Sequence, residues 1–184
     1  MTRSFAWLVA AAAPGIIACA DAGSRPIVIR AYRNDLAGIR ANDPGMKLQV
    51  GLHSALPGEK VLFVDYPSAG NDPAGRDIHL EAEQRDWSGA SAIAFQIRSP
   101  QPVRVSVSFV DRNQVGYTTW VNALGDSWQL ISLPFRDLRP NPYFQPPGAK
   151  TGAPLDISDV SGISFAPQDS AAGRFAISQF VLLK

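Results

Sequence analysis

Cysteine and histidine are scarce in this chain, which has one cysteine, Cys19, and two histidines, His53 and His79, among its 184 residues. Because Cys19 precedes the predicted folded domain, disulfides and thiol chemistry are excluded from that domain. Long hydrophobic runs are also lacking. The apolar run at positions 5–13 is shorter than the about 20 residues that a membrane-spanning helix needs, so we do not expect it to persist as an anchor.

An excess of charge of one sign is likewise missing. The chain has 17 Lys and Arg against 16 Asp and Glu. A nucleic-acid-binding domain normally carries a basic patch or stripe. The charge balance therefore predicts no nucleic-acid partner.

The N-terminal segment has the layout of a signal peptide, since Arg3 precedes the apolar run, a Pro14-Gly15 break and small residues. We expect residues 1–18 to be removed. The string Ile16-Ile17-Ala18-Cys19 resembles a bacterial lipobox, in which the cysteine is lipid-modified and becomes the new N-terminus.

Two processing routes follow from this segment. With lipidation at Cys19, residues 19–25 form a lipidated N-terminus and short tether, and the protein is anchored to the bacterial cell envelope through the lipid only. If an ordinary signal peptidase cuts after Ala20 or Ala22 instead, the protein is soluble in the periplasm or secreted. Both routes predict export.

Residues 26–184 are predicted to form one β-sandwich domain. Short alternating segments are separated by Gly, Pro, Asn and Asp at intervals of roughly 8 to 12 residues, a pattern typical of a sandwich or barrel. Residues 36–45 give no readable pattern. The predicted strands are Ile27–Arg33, Lys47–His53, Lys60–Tyr66, Ile78–Glu83, Ala92–Arg98, Val103–Val110, Val115–Asn122, Trp128–Leu133, Gly162–Ala166 and Arg174–Leu183.

Alternation is clearest from Val103 to Phe109, where valines and a phenylalanine alternate with Arg104, Ser106 and Ser108. Side chains of a strand point to opposite faces with period two, so one face is apolar and the other polar. The preceding strand, Ala92–Arg98, repeats the pattern. We predict that these two strands pair through the turn at 99–102.

Three segments carry a resemblance to a known family. They are Asp86-Trp87-Ser88-Gly89 with the strand after it, Ser127–Leu138 with its Pro134-Phe135-Arg136-Asp137-Leu138 end, and Leu155–Phe165 leading into the last strand. In this order they resemble galactose-binding-like jelly rolls, including non-catalytic carbohydrate-binding modules and the complex I intermediate-associated protein family.

The resemblance implies an all-β, two-sheet antiparallel β-sandwich that binds glycan on an exposed sheet face. It equally admits a protein-interaction or assembly module of the cell envelope, because this fold hosts both. An envelope protein is then the alternative partner to a glycan.

The candidate binding residues lie on the predicted polar faces. Trp120 alternates with its neighbours on the same side as Thr118, and we expect it to share a surface with Gln96, Arg98 and Arg104. The apolar face of a pyranose stacks on an aromatic ring while polar side chains bind its hydroxyls. The alternative is that Trp120 is a half-buried residue closing the sandwich edge.

Two further candidates are weaker. Tyr143, with Phe144, lies in the proline-rich loop after Pro134, and loops often carry binding residues; such aromatics equally serve to pin a loop. His79 is expected to face outward beside Glu81 and Glu83. Trp87 and Trp128 are expected to be structural.

Catalytic and metal signals are thin. No nucleophile elbow or phosphate loop is present, and Glu81 and Glu83 are the only basis for a hydrolase, so we predict no enzyme and no cofactor. Structural calcium is the alternative, with oxygens from Asp72, Asp77, Asp111 and Asn113, although no calcium-loop motif supports it. The string from Asp111 to Gln114 is instead typical of a hairpin turn.

Overall fold

Two antiparallel sheets face each other in the computed structural model, which describes residues 27–30, 32, 35–69, 75–143 and 145–184. The predicted all-β sandwich is confirmed. Besides a 3-10 turn at Phe135–Asp137, the elements are β1 Ile27–Arg30, β2 Ile39–Ala41, β3 Lys47–Leu52, β4 Lys60–Tyr66, β5 Ile78–Glu81, β6 Ala92–Arg98, β7 Val103–Asp111, β8 Gly116–Ala123, β9 Gln129–Pro134, β10 Arg139–Pro140, β11 Val160–Pro167, β12 Gly173–Ile177 and β13 Phe180–Leu183.

We call the two layers sheet I and sheet II. Sheet I has the order β1-β13-β6-β12-β4-β3, with β9 paired to β6, and sheet II has the order β10-β8-β7-β11-β5-β2. Every pairing is antiparallel. Within the described residues, no helix is long and apolar enough to cross a membrane.

The core lies between the inward faces of the two sheets. Phe95 of sheet I meets Phe165 of sheet II edge to face, with ring centroids 5.4 Å apart, and Phe180 packs against both rings at 5.2 and 5.7 Å. All three side chains are buried. Burial of a phenylalanine stabilises a fold by about 1.5–3 kcal/mol, so this cluster joins the layers.

The predicted pairing of β6 with β7 is wrong. β6 pairs with β9, β12 and β13 in sheet I, whereas β7 pairs with β8 and β11 in sheet II. The segment between them contains Pro100 and Pro102, which cannot donate ladder hydrogen bonds, and its Ser99 is tied to sheet I because its hydroxyl donates to the Arg174 carbonyl at 2.8 Å. The segment therefore crosses between layers.

Trp87 confirms the structural role predicted for it. Its indole is fully buried, donates from Nε1 to the Gln84 carbonyl at 2.7 Å, and stacks on Phe135 with ring centroids 5.7 Å apart. Phe109 meets the indole edge to face at 6.0 Å. Two of the segments that carried the family resemblance are thus joined through one side chain.

The predicted turn at Asp111 is also confirmed. Its buried carboxylate accepts from the backbone N–H groups of Asn113 and Val115 at 2.9 and 3.1 Å, and its second oxygen accepts from the Asp156 N–H at 3.3 Å. Gln114 completes the turn with a φ of 59°. The carboxylate therefore stabilises both the turn and the loop that enters β11.

Several boundaries differ from those predicted. The last predicted strand is divided at Ser178 and Gln179 into β12 and β13, because the Ser178 hydroxyl accepts from the Gln96 N–H at 2.7 Å and takes the place of a ladder carbonyl. The unassigned region 36–45 contains β2. The proline-rich stretch holds the 3-10 turn and β10 before an irregular loop.

Positions 1–25, with the predicted leader, Cys19 and tether, lie outside the described residues.

Candidate functional site

A row of polar side chains crosses the outer face of sheet II. Neighbouring strands pair residue by residue along this row, so it occupies one level of all six strands. Given about 4.8 Å between neighbouring strands, it is about 24 Å long. Its members, from β10 to β2, are Arg139, Thr118, Ser108, Ser164, His79 and Arg40. We call this surface, together with Arg104, Ser106 and Trp120 at adjoining levels, the sheet II face.

The centre of the row is a network of hydroxyl groups. The Thr118 Oγ1 lies 3.1 Å from both the Ser106 and the Ser108 hydroxyls, and it reaches the Val107 carbonyl at 3.3 Å. These short side chains have few rotamers to lose. Thr118 is itself buried, so it fixes the partly exposed hydroxyls of Ser106 and Ser108, which are the ones that can meet a ligand.

His79 lies in the same row beside this network. Its Nδ1 is 3.1 Å from the Ser164 hydroxyl, and its ring covers Gly162, where a Cβ atom would lie 2.6 Å from the imidazole. Burial lowers the pKa of His79, as does the positive charge of Arg40, while Glu81 and Asp77 oppose the shift. The imidazole is consequently neutral near pH 7, and it faces outward as predicted.

Trp120 lies one level along the strands, directly opposite Ser106. Its side chain is 39% exposed, so it is not sealed inside the sandwich. The Arg104 guanidinium lies 5.1 Å from the centre of its ring, within the range of a cation–π contact. The indole is therefore presented to solvent beside the hydroxyl network, with a cation next to it.

Gln96 and Arg98 do not share this surface, and the predicted grouping is wrong for both. They lie on β6 and point outward from sheet I, on the opposite side of the sandwich. Gln96 contacts the His53 imidazole at 3.1 Å, and Arg98 forms an ion pair with Asp126 at 2.6 Å. Alternation gave their outward direction correctly, but β6 and β7 belong to different layers.

The outer face of sheet I is partly covered, which the sequence did not indicate. The loop between β3 and β4 places His53 against Trp128, with ring centroids 4.0 Å apart and planes inclined by 20°. The Ser54 hydroxyl accepts from the Trp128 indole at 2.9 Å and from Arg98 at 3.0 Å. Beneath this loop lies a small pocket lined by His53, Leu56, Gln96, Leu130, Ser178 and Val181.

Tyr143 lies in the loop that follows β10, at the edge of sheet II. Its ring is 85% exposed, so it does not pin the loop. Gln145 does so instead, because its side-chain amide exchanges two hydrogen bonds with the backbone of Gly116, at 2.7 and 3.0 Å. Phe144 lies outside the described residues.

No metal centre or catalytic group emerges from the part of the chain that the structure describes. No three His, Cys, Asp or Glu side chains in it are grouped to hold an ion. Of the calcium candidates, Asp77 accepts from the Asn42 amide at 2.8 Å, Asp111 is occupied in its turn, and Asp72 lies outside the described residues. Glu81 ends β5, and Glu83 follows beyond the strand.

A jelly-roll sandwich with a hydroxyl-lined outer sheet face is the architecture shared by carbohydrate-binding modules. The chain belongs to the carbohydrate-binding domains of family 11, whose family model matches residues 35–183. This membership confirms the predicted resemblance to carbohydrate-binding modules and the prediction that the chain is not an enzyme.

Known proteins similar to the chain agree with this assignment. Endoglucanase H of Acetivibrio thermocellus is 29% identical over 105 residues, which are 53% of this chain and 12% of the endoglucanase. The chain therefore spans only a small part of that relative.

Solved structures support the fold. A family 11 module of a cellulosomal cellulase from Clostridium thermocellum superposes with a TM-score of 0.66 at 21% identity, covering 86% of this chain and 94% of that module. The family 11 module of the same organism in complex with a β-1,3-1,4-mixed-linked tetrasaccharide gives 0.66 at 20% identity, with 87% and 96% covered. A family 30 module from that bacterium gives 0.54 at 15% identity, with 87% and 93% covered.

Proposed function

We propose that the protein binds a glycan on the sheet II face, with Trp120 as the ring on which a sugar stacks. The observation that carries this proposal is the exposed indole directly beside the hydroxyl network of Thr118. A pyranose presents an apolar face and a rim of hydroxyls, and the surface offers the matching pair of features. Arg104 lies beside the indole, and His79 offers a further polar contact three strands away, toward the β2 end of the row.

A β-linked glucan is the first ligand to test. The support comes from the structural relative whose complex holds a β-1,3-1,4-mixed-linked tetrasaccharide. A row about 24 Å long suits a chain of several sugars lying across the strands better than a single monosaccharide.

Titration calorimetry with this tetrasaccharide tests the proposal. We expect binding to the unmodified protein and its loss in Trp120→Ala. The matched control is Trp128→Ala, which removes an indole of equal size from sheet I, on the other side of the molecule. Equal loss of binding in both variants, or retention in Trp120→Ala, contradicts the assigned surface.

We also propose that the domain acts outside the cytoplasm, anchored to the bacterial cell envelope through a lipid on Cys19. The support is the arrangement of Arg3, the apolar run and the lone cysteine. A glycan-binding face on the envelope would hold the cell or its enzymes against a polysaccharide. Recovery of an associated envelope protein in stoichiometric amount would favour the assembly role instead.

Metabolic labelling with a radioactive fatty acid tests the anchor. Label should enter the protein in the bacterium and be absent from Cys19→Ser. An unlabelled protein recovered in the soluble fraction would favour cleavage after Ala20 or Ala22.

A further inference from the structure

The arginines whose side chains the structure describes divide into three groups according to their partners. Five of them form ion pairs with carboxylates, at distances up to 3.8 Å. These pairs are Arg85–Asp159, Arg98–Asp126, Arg112–Asp156, Arg136–Asp137 and Arg174–Asp65. A sixth, Arg76, is buried and donates to the carbonyls of Pro67, Pro167 and Asp169.

The remaining arginines with described side chains are Arg40, Arg104 and Arg139, and no described carboxylate lies within salt-bridge distance of them. All three stand on the sheet II face. Apart from the buried Arg76, the arginines that lack a described carboxylate partner are therefore gathered on the surface proposed to bind the ligand.

Carboxylates are placed unevenly on this face. Asp77 and Glu81 both belong to the β5 side, near Arg40, and act on His79. Arg104 lies two strands away on β7 and Arg139 four strands away on β10, about 10 and 19 Å by strand spacing. These separations exceed the screening length of about 8 Å at physiological ionic strength. On β10, β8 and β7 the outward positions carry Arg139 and Arg104 and no carboxylate, so this half of the face is positive.

Arg139 is held ready for a planar anion. Its Nη1 donates to the carbonyls of Arg136 and Leu138 at 2.8 and 3.0 Å. A guanidinium has five N–H donors in a fixed fork, so the Nε and Nη2 donors remain available. That edge matches the two oxygens of a carboxylate.

Arg104 is positioned in a different way. Its guanidinium lies against the Trp120 ring at 5.1 Å, which restricts its motion and places a cation beside the stacking platform. A sugar stacked on Trp120 brings the substituents of its ring within reach of this charge. Exocyclic carboxylates, as in uronic acids, are substituents that would benefit from it.

We infer that the sheet II face selects an acidic glycan, a chain carrying uronic acid carboxylates. Arg104, Arg139 and Arg40 bind the carboxylates, and the hydroxyl network binds the sugars between them. This inference rests on the proposed function. It names the substrate class of the same site.

The test compares polymers that differ only in their carboxylates. The first pair is a mixed-linked β-glucan and the same glucan oxidised at C6 to glucuronate. The second pair is polygalacturonate and its carboxyl-reduced form, and the third is alginate and its carboxyl-reduced form. An exposed ion pair contributes about two- to fivefold in affinity. Three arginines should therefore give an acidic polymer an advantage of about ten- to a hundredfold over its neutral counterpart, and the advantage should shrink with added salt.

The variants address the arginines directly. Arg40→Gln, Arg104→Gln and Arg139→Gln combined should remove most of the ratio between acidic and neutral affinities. The control is Arg136→Gln, which makes the same charge change at an exposed residue whose weak partner is Asp137, and it should leave the ratio unaltered. The salt dependence of the unmodified protein supplies a second readout that does not depend on the folding of the triple variant.

The outcomes separate the inference from the proposed function. Equal binding of acidic and neutral forms, or preference for the neutral form, overturns the inference and leaves the glycan-binding face intact. Binding of none of these polymers by the folded protein overturns both. A preference for acidic forms that survives in the triple variant also contradicts the inference, because other groups would then read the charge.

Discussion

The Nδ1 atom of His53 accepts hydrogen bonds from the backbone N–H groups of Ala55 and Leu56, at 3.0 and 3.1 Å. Since Nδ1 can accept only when it carries no proton, the neutral imidazole must be protonated at Nε2, which donates to the side-chain Oε1 of Gln96 at 3.1 Å. His53 thereby fixes the loop between β3 and β4 over the outer face of sheet I.

This tautomer predicts a pH-dependent stability. Burial is the main cause that lowers the pKa of His53 below its usual 6.5. A histidine whose pKa is lowered in the folded state contributes stability that is complete above pH 6.5 and is lost as pH falls through the folded-state pKa. Denaturant unfolding between pH 8 and 5 should show this loss. The loss of unfolding free energy should be smaller in His53→Gln. Part of the loss should remain in this variant, because the pKa of His79 is also lowered in the folded state.

A second measurement checks the tautomer itself. Nitrogen chemical shifts of the imidazole at pH 8 should show a proton on Nε2 and a bare Nδ1. The reverse assignment, or an unfolding free energy whose dependence on pH is the same in His53→Gln, contradicts this role of the ring.

Trp87 should be among the most costly positions to truncate. The buried indole joins Phe109, Phe135 and the Gln84 carbonyl, so Trp87→Ala leaves a cavity that these rings cannot fill. Such substitutions cost about 3–5 kcal/mol. Urea unfolding measures the loss, and Trp128→Ala, which removes a partly exposed indole, should cost clearly less. Similar costs for the two variants would show that Trp87 does not have this central position.

Gly162 should not tolerate a methyl group. A Cβ at this position would lie 2.6 Å from the Leu80 carbonyl oxygen and 2.6 Å from the His79 ring. We expect Gly162→Ala to cost about 1–3 kcal/mol through overpacking and to displace His79. The control is Gly152→Ala, where no atom lies within 4 Å of the added carbon. Thermal unfolding compares the two, and an equal effect would contradict the crowding at Gly162.

Alternation located most strands but could not assign them to sheets. Two predicted strands, Lys60–Tyr66 and Ala92–Arg98, coincide with β4 and β6, because period-two burial is visible in the sequence. The layer that a strand joins depends on long-range partners and on the connection at Pro100 and Pro102, whose local signal is equally compatible with a tight hairpin.

The candidate site was predictable only where its strands are long enough to show alternation. Trp120, Thr118, Arg104 and His79 fall on one face because their outward direction follows from alternation within strands. Arg40 and Arg139 were missed, since β2 and β10 have only three and two residues and show no period. The stacking of His53 on Trp128 joins residues 75 positions apart, and no local pattern connects them.

The opposite placement of Gln96 and Trp120 leads to a prediction about binding and stability. Gln96 contacts His53 beneath the loop of sheet I, on the side of the sandwich away from the sheet II face. Gln96→Ala should therefore leave glycan affinity within about twofold while lowering stability by about 1–3 kcal/mol, the cost of leaving a buried partner without its hydrogen bond. Thr118→Val should instead weaken glycan binding, because it removes the hydroxyl that joins Ser106 and Ser108 on the binding surface. Calorimetry with the same glycan on both variants decides the matter, and a loss of affinity confined to Gln96→Ala would move the binding surface to sheet I.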